Sequence, residues 1–337
     1  MSARFTITAV LLATCVPAGC GGVTSGPTGE PLVRIDGSSS VYPITEAVAE
    51  EFQNKNQGVR VTVDVSGTSG GFQKFCRGET DLANASRAIN AVELERCAKA
   101  GITFLELPVA YDGLAVIVNP KNTWADQVAV AELRALWAPD AQAKITRWNQ
   151  VRAGWPDRPI HLYGPAASSD TFEYFTDVIG GGTGASRGDY TSSEDDNALV
   201  RAVASDELAL GFVVYASFDQ NKRTLRALPV DDGRDDDGKG PIPPSPETVR
   251  NGTYQPLSRP LFIYVSQNAI GRPEVRSFVD YYLKEGPWLI DQGGGIQLGD
   301  KGYELVRRRL TRGVTGSAFP GESPVRLTLD QMLARLQ

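Results

Sequence analysis

One histidine, His161, serves a chain of 337 residues, and cysteine is nearly as scarce, at four. These are too few soft ligands for a zinc centre. A Ser–His–Asp triad would have to recruit His161, which sits in Pro159-Ile160-His161-Leu162-Tyr163 and is expected to be a packed strand residue. The pattern G-x-S-x-G occurs at Gly67–Gly71 and Gly184–Gly188, but a serine nucleophile also needs a base, and with His161 the single histidine an envelope hydrolase or phosphatase is not favoured. Positive charge has no surplus: 34 Lys and Arg stand against 40 Asp and Glu, a net charge of −6. That argues against nucleic acid as a partner. It does not argue against a small anion, which local hydrogen bonds can hold. Beyond the N-terminus no apolar run is long enough to span a bilayer, and the chain has no internal repeat. The acidic stretch from Asp231 to Gly238 misses the EF-hand register, with Gly233 at the first ligand position and Pro244 where Glu is needed. It reads as part of a solvated loop, Asp231 to Pro246.

What the chain does have is three Ser/Thr/Gly turns, each leading into an amphipathic helix. They are Asp36-Gly37-Ser38-Ser39-Ser40, Ser66-Gly67-Thr68-Ser69-Gly70-Gly71 and Ser168-Ser169-Asp170-Thr171. A helix start offers unpaired N–H groups and the positive end of the macrodipole. Hydroxyls add donors, and glycine lets the backbone come close. Each turn alone is explained by N-capping. Three in one chain, two of them behind strands, point to a cradle for a small oxyanion.

The N-terminus suggests export. Arg4 precedes a short apolar stretch, Phe5 to Val16, which ends in Pro17-Ala18-Gly19-Cys20. Residues 1–19 are therefore expected to be a lipoprotein signal peptide, with Cys20 lipidated to give a lipid anchor. Residues 20–31, rich in Gly, Ser, Pro and Thr, are expected to form a tether. With Cys15 removed and Cys20 lipidated, Cys76 and Cys97 remain, and in an oxidising envelope they are expected to form a disulfide.

The order of elements is that of an α/β protein long enough for two domains. Strands are expected at Leu32–Asp36, Val59–Val65, Thr80–Ser86, around Ile102–Ala110, Gly113–Pro120, Leu208–Ala216 and Leu261–Val265. Helices are expected at 43–56, after Gly71 to Cys76, and at 92–100, 131–137, 171–179, 194–205, 273–284 and 302–310. The tail is expected to be irregular from Gly313 to Ser323, with a last amphipathic helix at Leu327–Leu336.

Several segments in order carry a resemblance: IDGSSSVYPITEAVAEEF, SGTSGGFQKFCRGETDLANASRAI, AYDGLAVIVNP, the SSDTFEYF turn and PLSRPLFIYV. From Leu32 to Leu310 the chain resembles the substrate-binding subunit of bacterial phosphate ABC transporters, and within it the cyanobacterial branch. The resemblance implies a type II periplasmic-binding-protein fold, two α/β lobes with a ligand cleft between them. Lobe one would comprise residues 32–110 and 254–310, lobe two residues 111–253, and residues 311–337 a C-terminal extension. It also implies binding of inorganic phosphate outside the cytoplasmic membrane, with no cofactor and no enzymatic activity, and delivery to an ABC permease. Alternatives are another oxyanion, sulfate or molybdate, or a phosphate-sensing scaffold.

The phosphate contacts implied fall on Ser39 and Ser40, on Thr68 and Ser69, and on Ser169, Asp170 and Thr171. Three positions depart from the family's pattern. Ser86 stands where the best-known members have the Asp that accepts the phosphate proton, with Arg87 following. Pro165 stands near the position of an Arg, and Asp170 replaces a Gly. Arg87, or else Arg187, would supply the missing cation, and Asp170 either accepts the proton or caps its helix.

Overall fold

The computed structural model describes residues 31–236, 238–320, 325, 327 and 329–336. The signal peptide, Cys20 and nearly all of the tether lie outside the described residues. The strands are β1 (Leu32–Gly37), β2 (Arg60–Val65), β3 (Leu82–Ala85), β4 (Phe104–Val118), β5 (Val128–Ala129), β6 (His161–Pro165), β7 (Thr191–Ser193), β8 (Ala209–Val214), β9 (Arg226–Ala227), β10 (Val230–Asp231) and β11 (Ser258–Ser266). The helices are α1 (Tyr42–Lys55), α2 (Gly67–Cys76), α3 (Ala91–Lys99), α4 (Val130–Trp137), α5 (Trp148–Val151), α6 (Asp170–Phe175), α7 (Asp196–Ser205), α8 (Tyr215–Asn221), α9 (Pro246–Arg250), α10 (Pro273–Gln292), α11 (Asp300–Arg312) and α12 (Leu329–Arg335). Among the described residues, no helix is long and apolar enough to cross a membrane.

Nine strands form one curled sheet in the order β2-β1-β3-β11-β4-β8-β6-β7, with β9 also on β4. The β2-β1-β3 group is parallel, as βα units require. β11 then runs antiparallel between β3 and β4. The long strand β4 belongs to both lobes: Phe104 to Gly113 pair with β11, and Leu114 to Val118 pair with β8. β11 is buried along its whole length and β4 at every position but Asp112, which is why both read as near-continuous apolar runs.

Sequence reasoning divides β4 into two strands, and the structure makes it one. Pro108, which cannot donate to a ladder, sits where the β11 register slips between Leu261 and Phe262, so the irregularity absorbs it. Helix α10 also runs past the expected end at Lys284, through Pro287. Proline there strips the Leu283 carbonyl of its helical donor, and Arg307 of α11 donates to that carbonyl at 3.1 Å instead. Helix α2 starts at Gly67, inside the turn expected to precede it, and α5, α8 and α9 are unexpected, α8 taking the end of the expected strand Leu208–Ala216; α1, α3, α4, α7, α11 and α12 start and stop within two residues of expectation. His161 is a further correction: it opens β6 with its ring half exposed, 2.6 Å from an Asp206 oxygen, rather than packed.

Cys76 and Cys97 are joined, the bridge tying α2 to α3 on either side of β3. Beyond α11, Ser317 and Ala318 reach back to β4. Buried Glu106 accepts from Ser317 Oγ at 2.6 Å, from the Ala318 N–H at 2.8 Å and from Tyr264 at 2.7 Å. Burial still pushes the Glu106 carboxyl above its ordinary range.

Candidate functional site

The first two turns meet at the carboxyl ends of β1 and β3, where open α/β sheets place ligands. Gly37 has φ +141°, and a Cβ there would lie 2.1 Å from the Asn84 carbonyl oxygen. Only glycine lets the chain turn this close to β3. Gly71 is constrained likewise, its Cβ position falling 2.5 Å from Gly37 Cα, so α2 starts against the end of β1. Buried Asp36 locks the two turns together, accepting from Ser66 Oγ at 2.6 Å and pairing with Lys74. Just ahead of α1, Ser38 Oγ accepts from the Ser40 and Val41 N–H groups. Thr68 Oγ1 accepts from the Ser86 N–H at 3.1 Å and lies 3.0 Å from Ser86 Oγ.

The third turn comes from lobe two. Helix α6 is fixed beneath it by aromatic packing: Phe175 stacks on Phe212 at 3.8 Å, and Trp137 meets both edge-on. Ser169 caps α6, its Oγ accepting from the Thr171 N–H. Asp170 is thereby freed from capping, and its carboxylate, 3 % exposed, reaches across the cleft. Oδ2 accepts from the Ser39 N–H at 2.9 Å, and Oδ1 from the Thr68 N–H at 3.3 Å. Thr68 Oγ1 lies 3.5 Å from Oδ2. A carboxylate thus rests on donors at the starts of α1 and α2, the positive ends of two helices.

A buried charge pair beside it joins β4 and β11. Arg259 and Asp112 are directly opposed in the β11–β4 register. Arg259, 2 % exposed, donates to Asp112 Oδ2 at 3.0 and 3.2 Å, to Ser40 Oγ at 3.0 Å and to the Asp170 carbonyl at 3.2 Å. Its guanidinium lies 4.4 Å from the Tyr174 ring centroid. Burial raises the Asp112 carboxyl above its ordinary range, and Arg259 opposes that rise. Arg87 holds Glu93 through two 2.8 Å hydrogen bonds, donates to Ser69 Oγ and stands 4.0 Å from Glu173. Glu173 is likewise pushed up, chiefly by burial.

Two cavities flank the Asp170 contact. One, of about 240 Å³, is lined by Ser86, Arg87, Asp170, Glu173, Tyr174 and Arg259 among others. The other, of about 490 Å³, includes Ser39, Ser40, Asp112, Ser169 and Thr171. The structure therefore gathers Ser39, Ser40, Thr68, Ser69, Ser86, Arg87, Ser169, Asp170 and Thr171 around one cleft. Arg187 is elsewhere, paired with Asp189 and donating to the Leu136 and Ile145 carbonyls. Sequence reasoning missed Arg259, Asp112 and Glu173. The available signal was a charged residue within each of two otherwise apolar strand segments, since such residues are seldom buried unpaired.

Residues 22–285 match the family model of the PBP superfamily domain. The chain is 45% identical over 304 residues to Protein SphX of Synechocystis sp., covering 90% of this chain and 89% of that one. It is 33% identical to Phosphate-binding protein PstS of Staphylococcus saprophyticus, over 89% of this chain and 90% of the relative. A crystal structure of a possible phosphate binding protein from Planctomyces limnophilus superposes with a TM-score of 0.73 at 42% identity, covering 85% of this chain and 99% of the other. Two lobes on shared crossover strands, with helix starts facing the cleft, are what these likenesses lead one to find, and the chain belongs to the PBP superfamily, in the family of the SphX and PstS proteins.

Proposed function

We propose that this protein binds inorganic phosphate in the cleft and delivers it to an ABC permease, as a binding protein rather than an enzyme. The observation that carries this is the Asp170 carboxylate, held by the Ser39 N–H, the Thr68 N–H and the Thr68 hydroxyl. Donors that hold one oxyanion at two helix starts suit another. Support comes from a relative and a solved structure whose names specify phosphate binding. The ligand site would be built from Ser39, Ser40, Thr68, Ser69, Ser86 and Arg87 of lobe one (residues 32–110 and 254–310), and Ser169, Asp170 and Thr171 of lobe two (residues 111–253). Binding would draw the lobes together, and the closed form would dock on the permease.

Calorimetric titration with phosphate, sulfate and arsenate tests the reading. Phosphate and arsenate should bind; binding of sulfate alone would replace the proposal with a sulfate carrier. Thr68→Ala removes a hydroxyl from a charged ligand, a loss of about 1.5–3 kcal/mol, or roughly 10- to 150-fold in affinity. Unchanged affinity would take Thr68 out of the site.

The proposal includes placement outside the cytoplasmic membrane on a lipid at Cys20. Cys20→Ala should release the protein from the membrane fraction and abolish labelling by radioactive palmitate. Equal labelling of both forms would refute the anchor.

A further inference from the structure

We infer that Asp170 is a resident anion of the cleft, which a ligand must displace and which helps to hold the empty lobes together; this rests on the phosphate reading for the identity of the displacing ligand. The donors are committed. Ser39 and Thr68 each have one backbone N–H, and both are spent on Asp170. An incoming oxyanion that takes them leaves the carboxylate without those bonds and beside a like charge. The two cannot share the cradle, so the ligand's apparent affinity is its intrinsic affinity reduced by the fraction of molecules in which Asp170 has let go.

The displaced side chain has somewhere to go. The 240 Å³ cavity that Asp170 already lines also contains Arg87 and Arg259 on its wall. A short rotation moves the carboxylate from one set of donors towards two guanidinium groups. The same contact spans the lobes, since Asp170 opens α6 of lobe two while Ser39 and Thr68 belong to lobe one. It is not the only tie there: Arg259 pairs with Asp112 at 3.0 Å and donates to the Asp170 carbonyl, and Arg87 approaches Glu173 at 4.0 Å. While these donors hold it, the Asp170 carboxylate is one of the ties between the lobes, and the one a ligand for the same donors must break. Only an anion that bonds to these donors better than a carboxylate does will load it, which favours a tetrahedral, multiply charged oxyanion over chloride or an organic acid. In this arrangement Asp170 is a competitor of the ligand, rather than the proton acceptor its place in the third turn suggests.

The experiment uses the full chain with bound phosphate stripped by unfolding and refolding. Asp170→Gly and Asp170→Asn are compared with wild type by small-angle scattering without ligand and by calorimetry with phosphate. The ligand-free wild type should be as compact as its phosphate-loaded form, and ligand-free Asp170→Gly should be measurably more extended. Asp170→Gly should bind phosphate at least tenfold more tightly, and Asp170→Asn, which keeps an acceptor oxygen but no charge, should gain less. Ligand-free Asp170→Gly as compact as wild type, or phosphate affinity unchanged or weakened in it, would overturn the inference. If neither wild type nor variants bind phosphate, the functional reading falls, and the scattering comparison alone decides whether Asp170 ties the lobes. If the glycine variant does not fold, the same two measurements on Asp170→Asn decide it.

Discussion

Arg259→Ala should lower the stability of the protein by about 3–5 kcal/mol, because it leaves Asp112 charged and nearly buried with its partner gone. The loss would appear as a lower denaturant midpoint at neutral pH. It has a distinctive pH dependence. Asp112 already titrates above its ordinary value because of burial, with Arg259 holding the rise in check. Without Arg259 the rise is larger, so the folded variant binds the Asp112 proton more tightly than the unfolded chain does. Its deficit against wild type is then full where Asp112 is ionised and shrinks as pH falls through the raised Asp112 value, leaving only the part due to the lost contacts with Ser40, the Asp170 carbonyl and Tyr174. The double variant Asp112→Asn, Arg259→Met should recover much of the loss, since both charges go together. A deficit independent of pH, with no recovery in the double variant, would mean that Arg259 matters through its packing on Tyr174 and not through its charge.

The second large effect concerns the disulfide. Cys76 and Cys97 are 21 residues apart, and they bracket β3, which delivers Ser86 and Arg87 to the cleft. In the chain-entropy model, a cross-link of this span stabilises by about 3 kcal/mol through the unfolded state. Replacing both cysteines with serine should therefore shift the midpoint by that amount. Phosphate affinity should fall less than in Thr68→Ala, because Thr68 and Ser86 hold each other directly. A double-serine variant as stable as wild type would show that the segment between them is already ordered in the unfolded chain.

The three turns were legible from the sequence because their chemistry is local: a helix start needs its caps within a few residues, and glycine, serine and threonine announce them. The α/β class was legible for the same reason, through apolar strands alternating with amphipathic helices, while the two lobes and their cleft came only from the resemblance. The hinge was not. Asp112 and Arg259 are 147 residues apart, and nothing near either one names its partner. The division of β4 between Ala110 and Gly113 and the end of α10 at Lys284 were also misplaced, and each continuation depends on a remote element, the pairing with β11 and the Arg307 side chain of α11. The orientation of Asp170 was likewise undecidable, since Asp suits a cap. It was settled by Ser169 taking that task and by the donors of two other turns lying opposite.

The position of β11 has a consequence for how the molecule is made. It is the last strand of the chain among the described residues, yet it lies in the middle of the sheet, with β3 on one side and β4 on the other. As the polypeptide emerges from its N-terminus, lobe one has an open slot beside β3 until all of lobe two has followed. Lobe two is continuous in sequence and has no such wait. The order of assembly is therefore the reverse of the order of synthesis: the second lobe can consolidate first, and the first is completed only when its missing strand arrives. Contacts of such long sequence separation form late and slowly. On the proposed placement outside the cytoplasmic membrane, that delay would keep the leading part of the chain unfolded while it is still passing through.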